Sequence, residues 1–288
     1  MHDSLSTPTH GCGQPPLPSV PCKVCGAPAP VAFHRTQDDG LLLEARVMRP
    51  GYERRYYQCP ECGLLFHKGF DKIEYDQLSN SKVPGAGGPV VAQVNRALRE
   101  CHMLYTLMGM HNLPMDSRIL VFGCGTGLSF NMLLQHGRNA WATDLNMRFD
   151  LGAETLPKLL FKTELLPRME SRFLPPGQDG KECFDVITLT EVFEHFLDPV
   201  EEMRRLAGMV RPGGLIIGTT GWLDQVEESL RDWWYVQCLT HATFLSSQAF
   251  GRICAEIGCL GTLLPGSPGL IGKSTMSDTQ TVFLLQRL

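Results

Sequence analysis

The sequence has no long apolar run and no excess of one charge. None of its apolar stretches reaches the roughly 18 residues that a membrane-spanning helix needs. The first 20 residues lack the basic segment and apolar core of a secretory signal. With 26 Lys and Arg against 30 Asp and Glu, the net charge is −4, and no basic stripe is present. These absences predict a cytoplasmic protein with no membrane partner and argue against nucleic acid as a partner.

The composition is that of an ordinary globular protein, with 43% hydrophobic and 19% charged residues. The 288 residues suit one large domain or two unequal ones. The 11 cysteines are an odd number, and in a reducing cytoplasm they do not form a disulfide framework. Four of them form two CxxC pairs, which need their own explanation.

The pattern along the chain predicts four parts. Residues 1–20, rich in Pro, Ser, Thr and Gly, read as a disordered tail. Residues 21–68 carry the CxxC pairs between short β-like runs, and residues 69–88 form a linker that ends in glycines and prolines. Residues 89–288 alternate strand and helix patterns, which predicts a parallel sheet with crossover helices.

Within the large part, the periodicity predicts several elements and leaves residues 145–184 without a clear pattern. A terminal pair of strands is expected to form an antiparallel edge, and Ser246 is a plausible N-cap. The predicted helices are Val90–Met110, Leu128–His136, Pro199–Met209 and Ser246–Ile257, and the predicted strands are Arg118–Phe122, Asn139–Thr143, Phe184–Thr190, Leu215–Thr219, Gly258–Leu264 and Gln280–Leu285.

A glycine-rich turn, Gly123-Cys124-Gly125-Thr126-Gly127, joins a predicted strand to a helix. Glycines let a ligand approach the backbone, and the helix start offers free N–H groups. Leu128 breaks both the dinucleotide spacing and the P-loop pattern, so a nucleoside without a pyrophosphate is favoured. Asp144 ends the next strand, where a carboxylate can accept both ribose hydroxyls. The alternative for Asp144 is a solvated turn residue.

Three segments carry a family resemblance: 119–127, 184–199 and 210–217. In this order and spacing they resemble the class I methyltransferases, which use S-adenosylmethionine. The resemblance covers about residues 89–288. It implies a Rossmann-like, seven-stranded, mostly parallel α/β sheet with helices on both faces, here preceded by a small β-rich zinc ribbon.

The resemblance also implies a set of cofactor-binding residues. The glycine turn should follow the methionine part of the cofactor, Asp144 the ribose and Leu145 the adenine, while Glu164 is the candidate for the adenine amino group. The end of the fourth strand should line the methyl-donor side. The full set is Gly123, Cys124, Gly125, Thr126, Gly127, Asp144, Leu145, Glu164, Thr190, Glu191 and Val192.

Val121 departs from the family pattern, which usually has an acid two positions before the first motif glycine. This substitution supports an alternative function: a binding or scaffold protein that keeps the methyltransferase fold with weak or no activity.

The two CxxC pairs have structural zinc spacing. Four thiolates would close the coordination sphere, so the sequence predicts a structural zinc bound by Cys22, Cys25, Cys59 and Cys62. Redox-active or simply buried thiols are the alternative, and Cys12 with His10, or His67, are alternative ligands. A ribbon of this kind ahead of the domain resembles bacterial small-molecule methyltransferases. It could cover the substrate cleft, mediate a homodimer or bind a protein partner.

Two histidines are candidates for acceptor chemistry. His195 follows the fourth strand and could act as a base, or it could simply belong to a helix start. His241 follows the aromatic run 233–235 in a region that often forms a substrate lid in the resembled family, although such aromatics usually pack in a core. His102 and His111, in a predicted helix, are taken as structural.

The predicted function is S-adenosylmethionine-dependent methyl transfer to a small-molecule O-, N- or C-nucleophile. A nucleic-acid methyltransferase is a further alternative. The acidic pI of about 6.1 argues against it, and so does the absence of the Asn/Asp-Pro-Pro-Tyr/Phe signature, whose place is taken by residues 190–193.

Overall fold

The computed structural model describes residues 18–36, 53–69, 90–145, 153, 156, 158–165, 182–227, 229–238, 240–264 and 280–288. The predicted tail up to residue 17, the linker from residue 70 and the alternative ligands His10 and Cys12 lie outside this part of the chain. Its strands and helices are β1 Ser19–Pro21, β2 Pro28–Thr36, β3 Glu53–Gln58, β4 Leu65–His67, α1 Val90–Met110, β5 Arg118–Phe122, α2 Leu128–Gln135, β6 Asn139–Thr143, β7 Phe184–Thr190, α3 Pro199–Met209, β8 Val210–Gly221, α4 Trp234–Gln237, β9 Thr243–Phe244, α5 Ser247–Glu256, β10 Cys259–Leu264 and β11 Gln280–Arg287.

The larger sheet is mixed and has the order β10-β11-β8-β7-β5-β6. The pairs β5–β6, β5–β7 and β7–β8 are parallel, whereas β10 and β11 add the predicted antiparallel edge. Among the described residues, the larger sheet thus has six strands rather than the predicted seven. The expected extra strand falls in 145–184, most of which lies outside the described residues.

Local signals set several helix starts. Asp198 caps α3 by accepting a hydrogen bond from the Glu201 N–H at 3.1 Å, with Pro199 in the first turn. Ser246 caps α5 as predicted, accepting from the Ala249 N–H at 3.1 Å. Along the chain, β6 is added on one side of β5, and β7 is then added on the other side. The carboxyl ends of β5 and β7 therefore border the crevice where α/β sheets bind ligands.

The N-terminal strands form a second sheet of order β1-β2-β3-β4-β9. It starts at Ser19, before the predicted boundary at residue 21. Its last strand, β9, comes from the C-terminal part of the chain and pairs antiparallel with β4, setting Leu65 opposite Phe244. The ribbon is therefore built into the larger unit.

Two large apolar clusters flank the mixed sheet. One joins α1 and α2 to the sheet. The other joins α3 and α5 to the sheet and includes the ribbon residues Cys59, Cys62, Leu64 and Phe66. Because ribbon and sheet share one core, their stabilities are coupled.

Candidate cofactor and acceptor site

The glycine turn has the backbone that its sequence requires. Gly123, Gly125 and Gly127 have φ of 71°, 56° and 77°, a region that L side chains rarely adopt. The N–H groups of Gly123 and Cys124 both donate to the Thr143 carbonyl, at 2.8 and 3.1 Å. The turn is thus fixed to the end of β6. Burial raises the pKa of the Cys124 thiol, which disfavours the nucleophilic thiolate form.

Asp144 is joined to this turn directly. Its Oδ2 accepts a hydrogen bond from the Gly125 N–H at 2.8 Å. Gly125 is exposed, and a Cβ built on it would meet nothing within 4 Å, so open space lies beside the turn. Leu145, next to Asp144, leaves 82% of its surface exposed. An acid, an open backbone cradle and an exposed apolar side chain therefore lie together.

Val192 connects the turn to the end of β7. A Cβ added to Gly123 would lie 2.4 Å from Val192 Cγ2, so only glycine allows this approach. Thr190 ends β7, and Glu191 follows it with φ of 56°, which is unusual for a residue with a side chain. Strained backbone of this kind recurs at functional sites.

The Glu191 carboxylate is held on two sides. It accepts from Thr219 Oγ1 at 2.7 Å and from the Tyr235 hydroxyl at 3.2 Å. Burial, followed by the nearby charge of Glu194, raises the pKa of Glu191 to about 7. The group can therefore change protonation state near neutral pH.

Glu194, His195 and His241 form a cluster beside it. Glu194 is fully buried, and its Oε2 accepts from Thr220 Oγ1 at 3.0 Å. Its Oε1 lies 3.8 Å from Nε2 of His195 and 3.8 Å from Nε2 of His241. The two imidazole rings meet edge to face at 4.9 Å. The fold thus brings together both histidines that the sequence predicts.

The two histidines differ in exposure and protonation. Side-chain exposure is 27% for His195 and 10% for His241. Burial and then the charge of His241 lower the pKa of His195 to about 3. Burial also acts to lower the pKa of His241, but the Cys238 thiol, Glu194 and the Tyr235 carbonyl outweigh it and raise that pKa to about 9. Of the two, His195 therefore keeps a free lone pair at neutral pH.

The aromatic run before His241 belongs to a core. Trp233 and Tyr235 are buried with Phe244 and the ribbon residues Tyr56 and Leu65. The packing interpretation of these aromatics is thus the one the structure supports.

Three other candidates lie in or next to helical segments. Glu164 is exposed in a 3₁₀ turn, Thr163–Leu165, and follows no strand among the described residues. His102 is exposed on α1. His111, which the sequence analysis puts in a helix, lies just beyond the end of α1.

Glu100 is a candidate site residue that sequence patterns miss. It lies on α1, is buried, and accepts from Thr188 Oγ1 at 3.0 Å and from the Ser129 hydroxyl. Thr188 is the register partner of Val121 on the neighbouring strand. A buried carboxylate therefore lies beside the position where the family acid is absent. Its only sequence signal is a charge among apolar residues of one helix face.

The four CxxC cysteines converge as predicted. The Sγ–Sγ distances are 3.6 Å for Cys22–Cys62, 3.5 Å for Cys25–Cys59 and 3.8 Å for Cys25–Cys62. A zinc tetrahedron with bonds of about 2.3 Å has edges of roughly 3.8 Å, so the four thiols fit this ion.

The two pairs also share one backbone form. Gly26 and Gly63, which follow the second cysteine of each pair, have φ of 71° and 72°. Each glycine N–H donates to the carbonyl of the first cysteine, at 2.9 and 2.8 Å. These twin turns are typical of zinc knuckles.

The ribbon contacts the acceptor side through specific bonds. His67 Nε2 donates to the His241 carbonyl at 3.1 Å, and its Nδ1 accepts from the Gly69 N–H at 3.0 Å. This occupied ring is not part of the cysteine cluster. Ser246 donates to the Cys62 carbonyl, and Arg252 donates to the Glu61 carbonyl at 3.0 Å.

Comparison with known proteins shows the family. A family model described as a methyltransferase domain matches residues 93–261, more than half of the chain. Ubiquinone biosynthesis O-methyltransferases from Aeromonas salmonicida and Aliivibrio fischeri are 31% and 29% identical over 103 residues, or 36% of this chain. The match covers 42% and 43% of those proteins, so the chain spans less than half the length of the curated relatives it matches.

A solved structure of phosphoethanolamine N-methyltransferase 2 from Haemonchus contortus, in complex with S-adenosyl-L-methionine, is 12% identical. It covers 77% of this chain and 61% of its own, with a TM-score of 0.49.

The fold and site define a Rossmann-like protein with a nucleoside-type glycine turn. The chain belongs to the methyltransferase-domain family. Among the described residues, no helix combines the length and apolarity needed to cross a membrane.

Proposed function

We propose that this protein transfers a methyl group from S-adenosylmethionine to a small-molecule acceptor in the cytoplasm. The observation that carries the proposal is the bond from the Gly125 N–H to Asp144, at the carboxyl ends of adjacent parallel strands. It combines a ribose-binding acid and a glycine cradle in one crevice. Val192 then joins that crevice to the acidic and histidine cluster.

The cofactor would be held by residues from the end of β6 and from α1. Asp144 would accept the ribose hydroxyls, and Leu145 would cover the adenine. Glu100 offers a negative charge where Val121 has none, and it suits the cofactor's ammonium group. Arg96 interacts electrostatically with both Glu100 and Glu191 and is exposed, so it suits the cofactor's carboxylate.

When bound, the cofactor supplies an electrophilic methyl carbon on a sulfonium, which leaves as a neutral thioether. The chain's contribution is position and proton handling. The His195 side chain is 27% exposed and its Nδ1 is held by the Thr240 carbonyl, so its Nε2 is placed to take the acceptor's proton as the carbon–oxygen or carbon–nitrogen bond forms. Glu194 and His241 lie against His195 and set the charge around it.

The four cysteines would bind one structural zinc. Since β4 and His67 contact the His241 segment, the ribbon's role is to build the acceptor wall. With this role, the ribbon is explained without a homodimer or a protein partner.

The scaffold alternative rests on Val121, and Glu100 weakens it by supplying the missing carboxylate. Calorimetric titration of the full chain with S-adenosylhomocysteine tests whether the cofactor site binds. A methyl-transfer screen with labelled S-adenosylmethionine then distinguishes an active methyltransferase from an inactive scaffold. Binding with turnover of a small acceptor supports the proposal. Binding with no turnover of any phenol, amine or enol favours the scaffold.

A further inference from the structure

One cysteine outside the CxxC pairs differs from the others in exposure. Cys238 follows α4 and is partly exposed. The remaining cysteines in this part of the chain are buried: Cys101, Cys124, Cys183, Cys254 and Cys259. Burial raises the pKa of the Cys101 and Cys254 thiols to about 12, so these groups stay protonated at neutral pH. Among the described residues outside the CxxC pairs, Cys238 is therefore the thiol that a reagent in solution reaches most easily.

Cys238 begins a turn that ends at His241. The His241 N–H donates to the Cys238 carbonyl at 3.1 Å, and the Cys238 side chain is hydrogen-bonded to the His241 ring. The Cys238 Sγ also lies 3.2 Å from the hydroxyl of Thr240. The sulfur therefore faces an imidazole and a hydroxyl, two groups that stabilise a thiolate.

Buried Glu194 favours the charged form of His241. Glu194 Oε1 accepts no hydrogen bond within the described ranges, and it lies 3.8 Å from Nε2 of His241. A buried carboxylate oxygen without a donor is costly, and an imidazolium offsets this cost. The other ring nitrogen, Nδ1, donates to the Tyr235 carbonyl at 2.8 Å. Burial acts against the charge, yet Cys238 and these two partners together raise the pKa of His241 to about 9.

The other titratable groups around His241 do not cancel its charge. Three of them are neutral, because burial lowers the pKa of two imidazoles and raises that of a phenol: His195, His67 and Tyr235. Glu191 interacts electrostatically with His241 and favours the imidazolium. Cys238 therefore has one positive charge beside it, and a positive charge next to a thiol favours the thiolate.

We propose that Cys238 and His241 form a thiolate–imidazolium pair, and that Cys238 is a site of reversible oxidation by hydrogen peroxide. The thiolate sulfur attacks one peroxide oxygen, so that an S–O bond forms and the O–O bond breaks. The departing hydroxide takes a proton from His241 and leaves as water. Sulfur gives up two electrons to the peroxide, and the product is a sulfenic acid beside a neutral imidazole. Two equivalents of a small thiol then restore the cysteine, with release of water and a small-molecule disulfide.

Oxidation of Cys238 should affect the acceptor side and spare the cofactor side. Thr240 faces the sulfur that gains an oxygen, and its carbonyl lies 2.9 Å from Nδ1 of His195. Loss of the His241 proton also removes the positive charge that faces the buried carboxylate. The glycine turn takes part in none of these contacts. The effect on methyl transfer rests on the proposed function, whereas the modification itself does not.

Competitive alkylation with iodoacetamide, followed by peptide mass spectrometry, tests the pair in the native 288-residue chain. Cys238 should react at least roughly tenfold faster than Cys101 and Cys254, because thiols with raised pKa hold little thiolate. Its rate should change little between about pH 7.5 and about pH 6.5, whereas an ordinary thiol of pKa about 8.5 loses roughly tenfold of its thiolate. His241→Gln removes the positive charge and should slow the reaction of Cys238 roughly tenfold at neutral pH.

His102→Gln is the matched control, since it changes an exposed histidine on α1. It should leave the alkylation rate of Cys238 unchanged. An equal rate in His241→Gln and the unmodified chain would overturn the pair. The pH profile of the unmodified chain decides independently of any variant, because a tenfold fall in rate down to about pH 6.5 identifies an ordinary thiol.

Hydrogen peroxide in the presence of dimedone, which traps sulfenic acids, tests the oxidation. Cys238 should acquire the dimedone label, Cys238→Ser should lose it, and Cys254→Ser should keep it on Cys238. A thiolate that alkylates rapidly but acquires no dimedone label would overturn the oxidation site.

Titration of the oxidised and reduced chains with S-adenosylhomocysteine separates the two proposals. Both forms should bind the nucleoside with affinities within about twofold, as expected when no contact of the cofactor site changes. Failure of the reduced chain to bind contradicts the proposed function, whatever the labelling of Cys238. Binding without labelling contradicts only the oxidation site.

Discussion

The ring of His67, on the ribbon strand β4, donates a hydrogen bond of 3.1 Å to the backbone carbonyl of His241. Burial, with the charges of Arg54 and Lys23, lowers the pKa of His67 well below its usual value, so the ring is neutral. A residue from the N-terminal sheet therefore fixes the backbone of a histidine in the acceptor cluster.

Replacement of His67 should affect the acceptor side more than the cofactor side. His67→Ala leaves the His241 carbonyl and the Gly69 N–H without their buried partner, which costs about 1–3 kcal/mol of unfolding free energy. Methyl transfer should fall while the affinity for S-adenosylhomocysteine stays within about twofold. Urea unfolding and calorimetry measure the two effects. His34→Ala, an exposed ribbon histidine, is the control, and equal losses in both variants would contradict the link.

Asp144→Ala should weaken nucleoside binding. The change removes an acceptor from the Gly125 N–H and from the ribose, and hydrogen bonds to a charged group are worth about 1.5–3 kcal/mol. The expected loss in S-adenosylhomocysteine affinity is roughly 10- to 100-fold. Asp116→Ala, an exposed acid before β5, should leave the affinity unchanged. An unchanged affinity in Asp144→Ala would remove this residue from the site.

Gly123→Ala tests the contact between the turn and β7. Gly137 has nearly the same φ, 70° against 71°, but a Cβ there meets nothing within 4 Å. Gly137→Ala should cost about 1–2 kcal/mol from backbone strain alone. Gly123→Ala should cost about 1–3 kcal/mol more because of the clash with Val192. Adding Val192→Ala to Gly123→Ala should recover the unfolding free energy lost to the clash, as measured by denaturant unfolding. No recovery in the double variant would show that the two positions are independent.

Glu100→Gln should separate stability from binding. Burial raises the pKa of Glu100, so its ionised form favours the unfolded chain, where the pKa is normal. The glutamine variant should therefore be the more stable one at neutral pH. This gain in unfolding free energy should shrink as the pH falls through the raised pKa of Glu100 in the folded chain. It should be gone below the normal pKa of a glutamate in the unfolded chain.

Binding should change in the opposite direction. Loss of the charge facing the cofactor's ammonium should lower the affinity for S-adenosylmethionine by roughly tenfold, as expected for a charge-assisted hydrogen bond. Glu256→Gln, an exposed acid on α5, is the control for both measurements. A variant with greater stability and unchanged affinity would assign Glu100 a purely structural position.

Loss of a cysteine from the proposed zinc site should loosen the His241 segment. Cys62→Ser removes one thiolate from the four-cysteine cluster. The backbone carbonyl of the same residue accepts a hydrogen bond from Ser246. Zinc content should fall, and amide exchange in β4 and β9 should rise together because the two strands are paired. Cys254→Ser, a buried thiol outside the cluster, should keep its zinc. Full zinc retention by Cys62→Ser would refute the four-thiolate site.

Local signals in the sequence predict much of the fold. The glycine turn, the cap at Ser246 and the terminal strand pair depend on neighbouring residues and appear as predicted. The convergence of the CxxC pairs follows from their spacing. The family resemblance adds the overall sheet, although six strands rather than seven lie in the described residues.

Contacts between distant segments could not be predicted. Glu100 reaches Thr188 only because α1 packs on the sheet, and the pairing of β4 with β9 joins residues about 180 positions apart. The proximity of His195 and His241 also depends on that packing. Such partners leave no periodic signal, because shape and register decide them.

Calorimetric titration of the 288-residue chain with S-adenosylmethionine tests the central claim most directly. One site should bind the cofactor, and Asp144→Ala should weaken that binding while Asp116→Ala does not. A folded protein that binds neither S-adenosylmethionine nor S-adenosylhomocysteine would contradict the claim that the glycine turn is a methyl-donor site.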